Sequence, residues 1–228
     1  MQTHMKQYTE PIFARLVDYR AELVKHPFLT AAQRGELPIE ILHEFAFHQF
    51  ADSILWIPML AQMRSKAHRS RRLRKAIEDN IAHEAGLDGE SHVTLAVRLV
   101  RGLGILQLEA FPTDVFARSA SLWISDDFAS FSEPEMAGWL LTAESLVPIM
   151  FAAVQPSFER LACDVRYFAE HVDIDASAHA AWMGEAVIDV VDAYGVDAVA
   201  QVMSGMDDAW QETLSVPNDL WRRRCASH

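Results

Sequence analysis

The chain has 228 residues, half of them hydrophobic, and a formal net charge of −12. That length can bury a sizeable core as a single domain over residues 1–228, and the apolar fraction excludes an intrinsically disordered chain. The acidic balance excludes the basic footprint of a nucleic-acid binder, and the short basic run Lys66 to Lys75 reads as an exposed helix start.

The hydrophobic pattern is helical almost throughout. Thr9 is expected to cap a first helix with Glu10 and Pro11 in its opening turn, followed by Ile12, Leu16, Tyr19 and Leu23 at helical spacing. His26-Pro27 ends or kinks it. Gly35-Glu-Leu-Pro38 is a turn, and Pro38 opens a long helix to about Ser65 that is apolar over a wide arc, as a central helix would be. His43, His48 and Asp52 are embedded in it; the histidines read as structural, whereas a carboxylate among Phe50, Leu55 and Trp56 needs solvent or a partner.

A third helix starts near Ser70 and leads into Asn80-Ile-Ala-His-Glu84-Ala-Gly86, where Gly86 and Gly89 bend the chain. His92 then precedes Leu95, Leu99 and Leu103 at helical spacing. Pro112-Thr113-Asp114 can start a further helix. Ser132-Glu-Pro-Glu135 is a capping-box start, and Glu144 lies inside the apolar run that follows. A helix from about Asp164 toward Tyr194 comes next, and Asp197 can cap a last one to about Leu214. The tail from about Pro217 reads as peripheral.

No alternating strand pattern is present, so the expected fold class is all-α, with about seven to eight helices. Cys163 and Cys225 form neither a metal-spaced pair nor a disulfide framework. The polar N-terminus lacks the apolar segment of a secretory signal, and no apolar run approaches bilayer-spanning length. A cytoplasmic protein with no membrane partner is the expectation.

The chemistry-bearing stretch is His171-Val-Asp-Ile-Asp175-Ala-Ser-Ala-His179. Residues four apart share a helix face, so His171, Asp175 and His179 would form one column, and two imidazoles with a carboxylate suit iron, manganese or zinc. Glu84, His92 and Glu144 on other helices could complete a site inside a bundle, where di-iron carboxylate centres are built. Three carboxylates offset most of the charge of two ferrous ions, and neutral imidazoles add nitrogen ligands without adding charge.

The chain resembles the haem-oxygenase-like di-iron oxidases and oxygenases. His26-Pro-Phe, Gly35-Glu-Leu-Pro38, Phe45 and Gln49-Phe50 look like the second-helix region that this family shares with its thiaminase II and pyrroloquinoline-quinone synthase relatives. Asn80-Ile-Ala-His-Glu84-Ala-Gly86 with His92 is similar to the family's first ligand pair. Glu144 before Val147-Pro148 is similar to its middle carboxylate, and Tyr167-Phe-Ala-Glu-His171 with Asp175 and His179 to its final ligand helix. The usual last step in the family is three residues; here it is four, which keeps His179 on the face or is absorbed by a π-bulge.

The resemblance implies a haem-oxygenase-like bundle, two Fe2+ as cofactor, O2 as co-substrate, and metal ligands Glu84, His92, Glu144, His171, Asp175 and His179. It also implies a small-molecule substrate, an external electron donor and no catalytic residue beyond the ligands; a homodimer would suit the fold. Members act on amines or amino-acid-like metabolites by N-oxygenation or C–C cleavage, in specialised biosynthesis. Others are fatty-acid decarboxylases. A metal-free thiaminase-like hydrolase, a cofactorless oxidase or a vestigial binding protein are the alternatives, the first needing a pocket cysteine. Asp52, Trp56, Phe47, Met59, Phe151 and Trp182 are candidate substrate-pocket residues, with Trp123 and Trp139 beside them, and Asp52 or Glu44 could receive a substrate ammonium.

Overall fold

A computed structural model describes residues 2–87, 89–105, 112–123, 129–174 and 179–226. It is all-α, with ten helices among the described residues: α1 Gln2–Leu23, α2 Pro27–Arg34, α3 Ile39–Lys66, α4 Arg71–Glu84, α5 His92–Gly102, α6 Thr113–Trp123, α7 Glu133–Glu159, α8 Arg166–Ile174, α9 Ala180–Tyr194 and α10 Ala198–Ala226.

The boundaries follow local chemistry. His26 caps α2, its Nδ1 accepting from the Phe28 N–H at 3.2 Å, and Gly35 closes α2 in the left-handed conformation. Ser70 caps α4 through the Leu73 N–H. Ser132 and Glu135 form the expected capping box at the start of α7.

Three expectations change. Thr9 does not cap α1; it is buried inside the helix, and Pro11 is also internal. The buried stripe Ile12, Leu16, Tyr19 and Leu23 holds the helix on the core, and Tyr8 extends that packing before the proline. The tail is not peripheral. α10 continues through Pro217, Leu220 is fully buried, and Arg223 pairs with Glu44 while Arg118 pairs with Asp219. Last, α7 has the length and apolarity to cross a membrane, so the expectation that no run does so is corrected; 83% of its apolar window is buried inside the protein.

The central element is α7, not α3. It packs against α10, α9, α8, α2 and α1, whereas α3 carries α4, α5 and α6. The α7–α10 crossing is set by two reciprocal glycines. A Cβ on Gly138 would lie 1.9 Å from the Val202 carbonyl oxygen, and one on Gly205 would lie 2.0 Å from the Glu135 carbonyl oxygen. Both obstacles are backbone, which cannot swing aside. Gly205→Ala should therefore destabilise the protein by about 3 kcal/mol through forced overpacking, read as a lowered denaturation midpoint.

The first residue of α7 is a second joint. The buried Glu133 carboxylate accepts from the backbone N–H groups of His68, Arg69 and Ser70 and from the Tyr194 hydroxyl, so it ties α7, the α3–α4 turn and α9 together. Burial works against its ionisation, but these four donors outweigh it and hold its pKa below the ordinary 4.5. A carboxylate with a depressed folded pKa contributes stability above its unfolded value and loses it as pH falls through the folded one. Glu133→Ala should cost about 3 kcal/mol at neutral pH by stranding those donors. In a pH series of melts, the gap from wild type should narrow below pH 4.5.

Candidate metal centre and its cavity

Helices α4, α5, α7, α8 and α9 bring a buried carboxylate–imidazole cluster together. Glu84 ends α4 and His92 opens α5. The turn between them depends on Gly86, whose φ is +81° and whose missing Cβ leaves room for the Ser91 backbone nitrogen, 2.5 Å from where that Cβ would sit. The chain doubles back, Ser91 caps α5, and His92 Nδ1 comes 2.7 Å from Glu84 Oε2. The eight-residue interval is thus closed by one left-handed glycine.

His171, on α8, completes a group with Glu84 and His92: one ligand atom from each lies within 4.8 Å of the others, and all three residues are buried. The His171 ring is wedged against Phe151 and Tyr167, with centroids 4.9 and 4.7 Å away. Its Nδ1 lies 2.7 Å from the Tyr167 carbonyl oxygen. A carbonyl only accepts, so Nδ1 carries the proton and Nε2 keeps its lone pair for a ligand. Burial, followed by the neighbouring His92 imidazole, pushes the His171 pKa well below the ordinary histidine range, so the ring is neutral.

A second group lies beside the first. His179 Nδ1 is 3.2 Å from Glu144 Oε2, and both residues are buried. Glu144 Oε1 accepts from the Asn80 amide. Between the two groups stands His83, its ring edge-on to His92 at 4.9 Å and to His179 at 5.0 Å. His171 and His179 do not share one described helix: α8 ends at Ile174, and His179 sits in a π-type turn immediately before α9. Asp175 lies outside the described residues, as does the Trp123 side chain. The donor set is the kind that suits iron: carboxyl oxygens and imidazole nitrogens, buried, with the His171 imidazole held in the ligating tautomer.

The cluster opens into a cavity of about 110 Å³, to which Glu84, Glu144 and His171 contribute directly. Of the residues named from sequence as pocket candidates, Asp52, Trp56, Trp139 and Phe151 line it. Phe47, Met59 and Trp182 are placed elsewhere: Met59 is buried in the core, Phe47 packs against the core, and Trp182 is 38% exposed with its ring 5.2 Å from that of His179. Glu44 pairs with Arg223. Sequence reasoning did not single out Asn80, His83, Tyr167, Glu212 or Ser215. The last two share a face of α10 with the buried Ala209, and Ser215 lies just beyond the helix end expected near Leu214.

Residues 40–211 match the family described as iron-containing redox enzyme. The chain belongs to that family. A crystal structure of a TenA homologue from Pseudomonas syringae pv. tomato str. DC3000 superposes with a TM-score of 0.72 at 13% identity, covering 94% of this chain and 93% of that one. At that identity the likeness shows the fold, which is haem-oxygenase-like. No curated protein matches the chain.

Asn80 holds one oxygen of Glu144, a candidate ligand carboxylate. Asn80→Ala should weaken ferrous-ion affinity by about tenfold, measured by competition with a chelator, without unfolding the protein.

Proposed function

We propose that the protein is a non-haem di-iron, O2-dependent oxidase or oxygenase acting on a small amine or amino-acid-like metabolite. The observation that carries this reading is the buried Glu84–His92–His171 group set beside Glu144–His179 and open to one cavity. Glu84, His92 and His171 would hold one iron; Glu144 and His179, joined by Asp175 from the same sequence stretch, would hold the other. Bound iron supplies redox capacity and Lewis acidity at the cavity wall.

The chain's own residues do the rest. The Tyr167 carbonyl keeps His171 in one tautomer, and Asn80 holds Glu144. Trp56, Trp139, Val147, Met150 and Phe151 supply apolar walls that exclude water and orient a substrate against the cluster. The electron donor is external on this reading. The thiaminase-like alternative needs a cysteine in the cavity, but Cys163 is buried in the core and Cys225 is exposed on α10, and neither is among the lining residues.

Anaerobic reconstitution with ferrous iron should give about two metal ions per chain, the count of a bundle-core carboxylate centre. Mixing with oxygenated buffer in a stopped-flow spectrometer should then give a transient visible absorbance. His171→Ala and Glu144→Ala should each lower the metal count. Wild-type protein that binds no iron, or iron-loaded protein that is inert to oxygen, would overturn the reading.

A further inference from the structure

The half of the cavity contributed by α10 carries a carboxyl group that the metal centre does not use. Glu212 faces the cavity from α10, a helix that supplies nothing to the ligand cluster. Its Oε2 accepts the Trp139 indole N–H at 2.8 Å, which fixes its direction. Its Oε1 makes no hydrogen bond, and no Arg or Lys pairs with it, among the described residues. Burial first of all pushes its pKa up to about 7, with Asp208 adding to the shift and the Trp139 bond opposing it. Glu212 is half-buried, and a partly desolvated carboxyl with no counter-ion is a favourable place for a cationic partner.

The surroundings fit such a partner. Asp52 lines the same space from α3, and among the described residues no Lys or Arg lines it. The Trp56 and Trp139 rings, 5.8 Å apart, both face it, and aromatic faces attract cations. Ser215, one turn beyond Glu212, also lines the cavity, and its buried Oγ has no hydrogen-bond partner among the described residues. Away from the metal cluster, an apolar chamber with indole walls, the carboxyl groups of Asp52 and Glu212 and no Lys or Arg suits an amine on an apolar body. Away from the metal cluster it offers no counter-charge to a carboxylate.

We infer that Glu212 is the specificity-determining residue of this cavity: its Oε1, supported by Ser215, receives the ammonium of a small aryl- or alkylamine. This rests on the function proposed above, but it can fail separately, because binding is read without turnover. The protein is loaded with ferrous iron under argon, and its metal content is measured. Binding of 2-phenylethylamine, 2-phenylethanol and 3-phenylpropanoate is then followed by calorimetry.

The amine should bind at least about tenfold more tightly than the carboxylate. Glu212→Gln keeps an acceptor for Trp139, so it should fold and load iron as wild type does. It should nevertheless lose about tenfold in amine affinity, with phenylethanol binding unchanged. Glu212→Asp, which keeps the charge, should retain part of the preference. The inference is overturned if the carboxylate binds as tightly as the amine. It is also overturned if Glu212→Gln leaves amine affinity within about twofold of wild type, or weakens phenylethanol equally, which would mark a merely structural role. Protein that takes up no iron defeats the functional proposal instead, and the same titrations on the metal-free chain then decide the Glu212 assignment by the same criteria.

Discussion

The crossing of α7 over α10 at Gly138 and Gly205 governs how the two halves of this protein meet. With no Cβ at either position, each helix backbone lies in contact with the carbonyl oxygen of the other. Trp139 follows Gly138 directly, and Glu212 lies two turns beyond Gly205, so the approach that the glycines permit also brings the indole N–H onto the carboxylate. Two turns along α7 from the crossing, Glu144 meets Asn80 and His179. One helix thus carries the packing contact, a cavity wall and a candidate ligand, and its register ties all three together.

The buried polar groups of α7 illustrate a general cost. Glu133 and Glu144 both sit in a helix that is otherwise almost wholly apolar and buried. Glu133 is compensated within the fold, by three backbone donors and a tyrosine. Glu144 has a side-chain amide and an imidazole, partners that can turn or exchange a proton when a cation arrives. The first arrangement makes a rigid joint. The second suits a candidate site, because its partners are side chains that can rearrange rather than fixed backbone donors.

Much of this was legible in the sequence because it is local. The all-α class, the capping box at Ser132, the helix starts near Ser70 and at Pro38, and the turn at Gly35 each follow from a few neighbouring residues. His171 and His179 stood out by their spacing, Glu144 as a carboxylate inside an apolar helical run, and Glu84 with His92 through the motif that resembles the family's first ligand pair. What escaped was non-local. Pro217 reads as a helix stop, yet tertiary contacts through Leu220 and the Arg118–Asp219 and Arg223–Glu44 pairs carry α10 through it. Thr9 reads as a cap, yet the apolar stripe of α1 holds the helix across Pro11. Met59, Phe47 and Trp182 have the same residue chemistry as Trp56, Trp139 and Phe151, and only the fold decides which of them face the cavity.

The same contrast separates chemistry from recognition. Residues that hold a metal must converge on a point, and the candidate ligands here are brought together by short-range devices: the Gly86 turn that returns His92 to Glu84, and the Tyr167 carbonyl one helical turn before His171. Such devices are compact in sequence and therefore leave a motif. The cavity's other groups come from α3, α6 and α10, elements distant in the chain that meet only through packing, and they leave none. A fold of this kind can keep its metal chemistry while changing its substrate by substitutions on α10 and α3. Glu212 is the position where such a change would act most directly, because its carboxyl is anchored to one wall by Trp139 while its second oxygen meets the ligand.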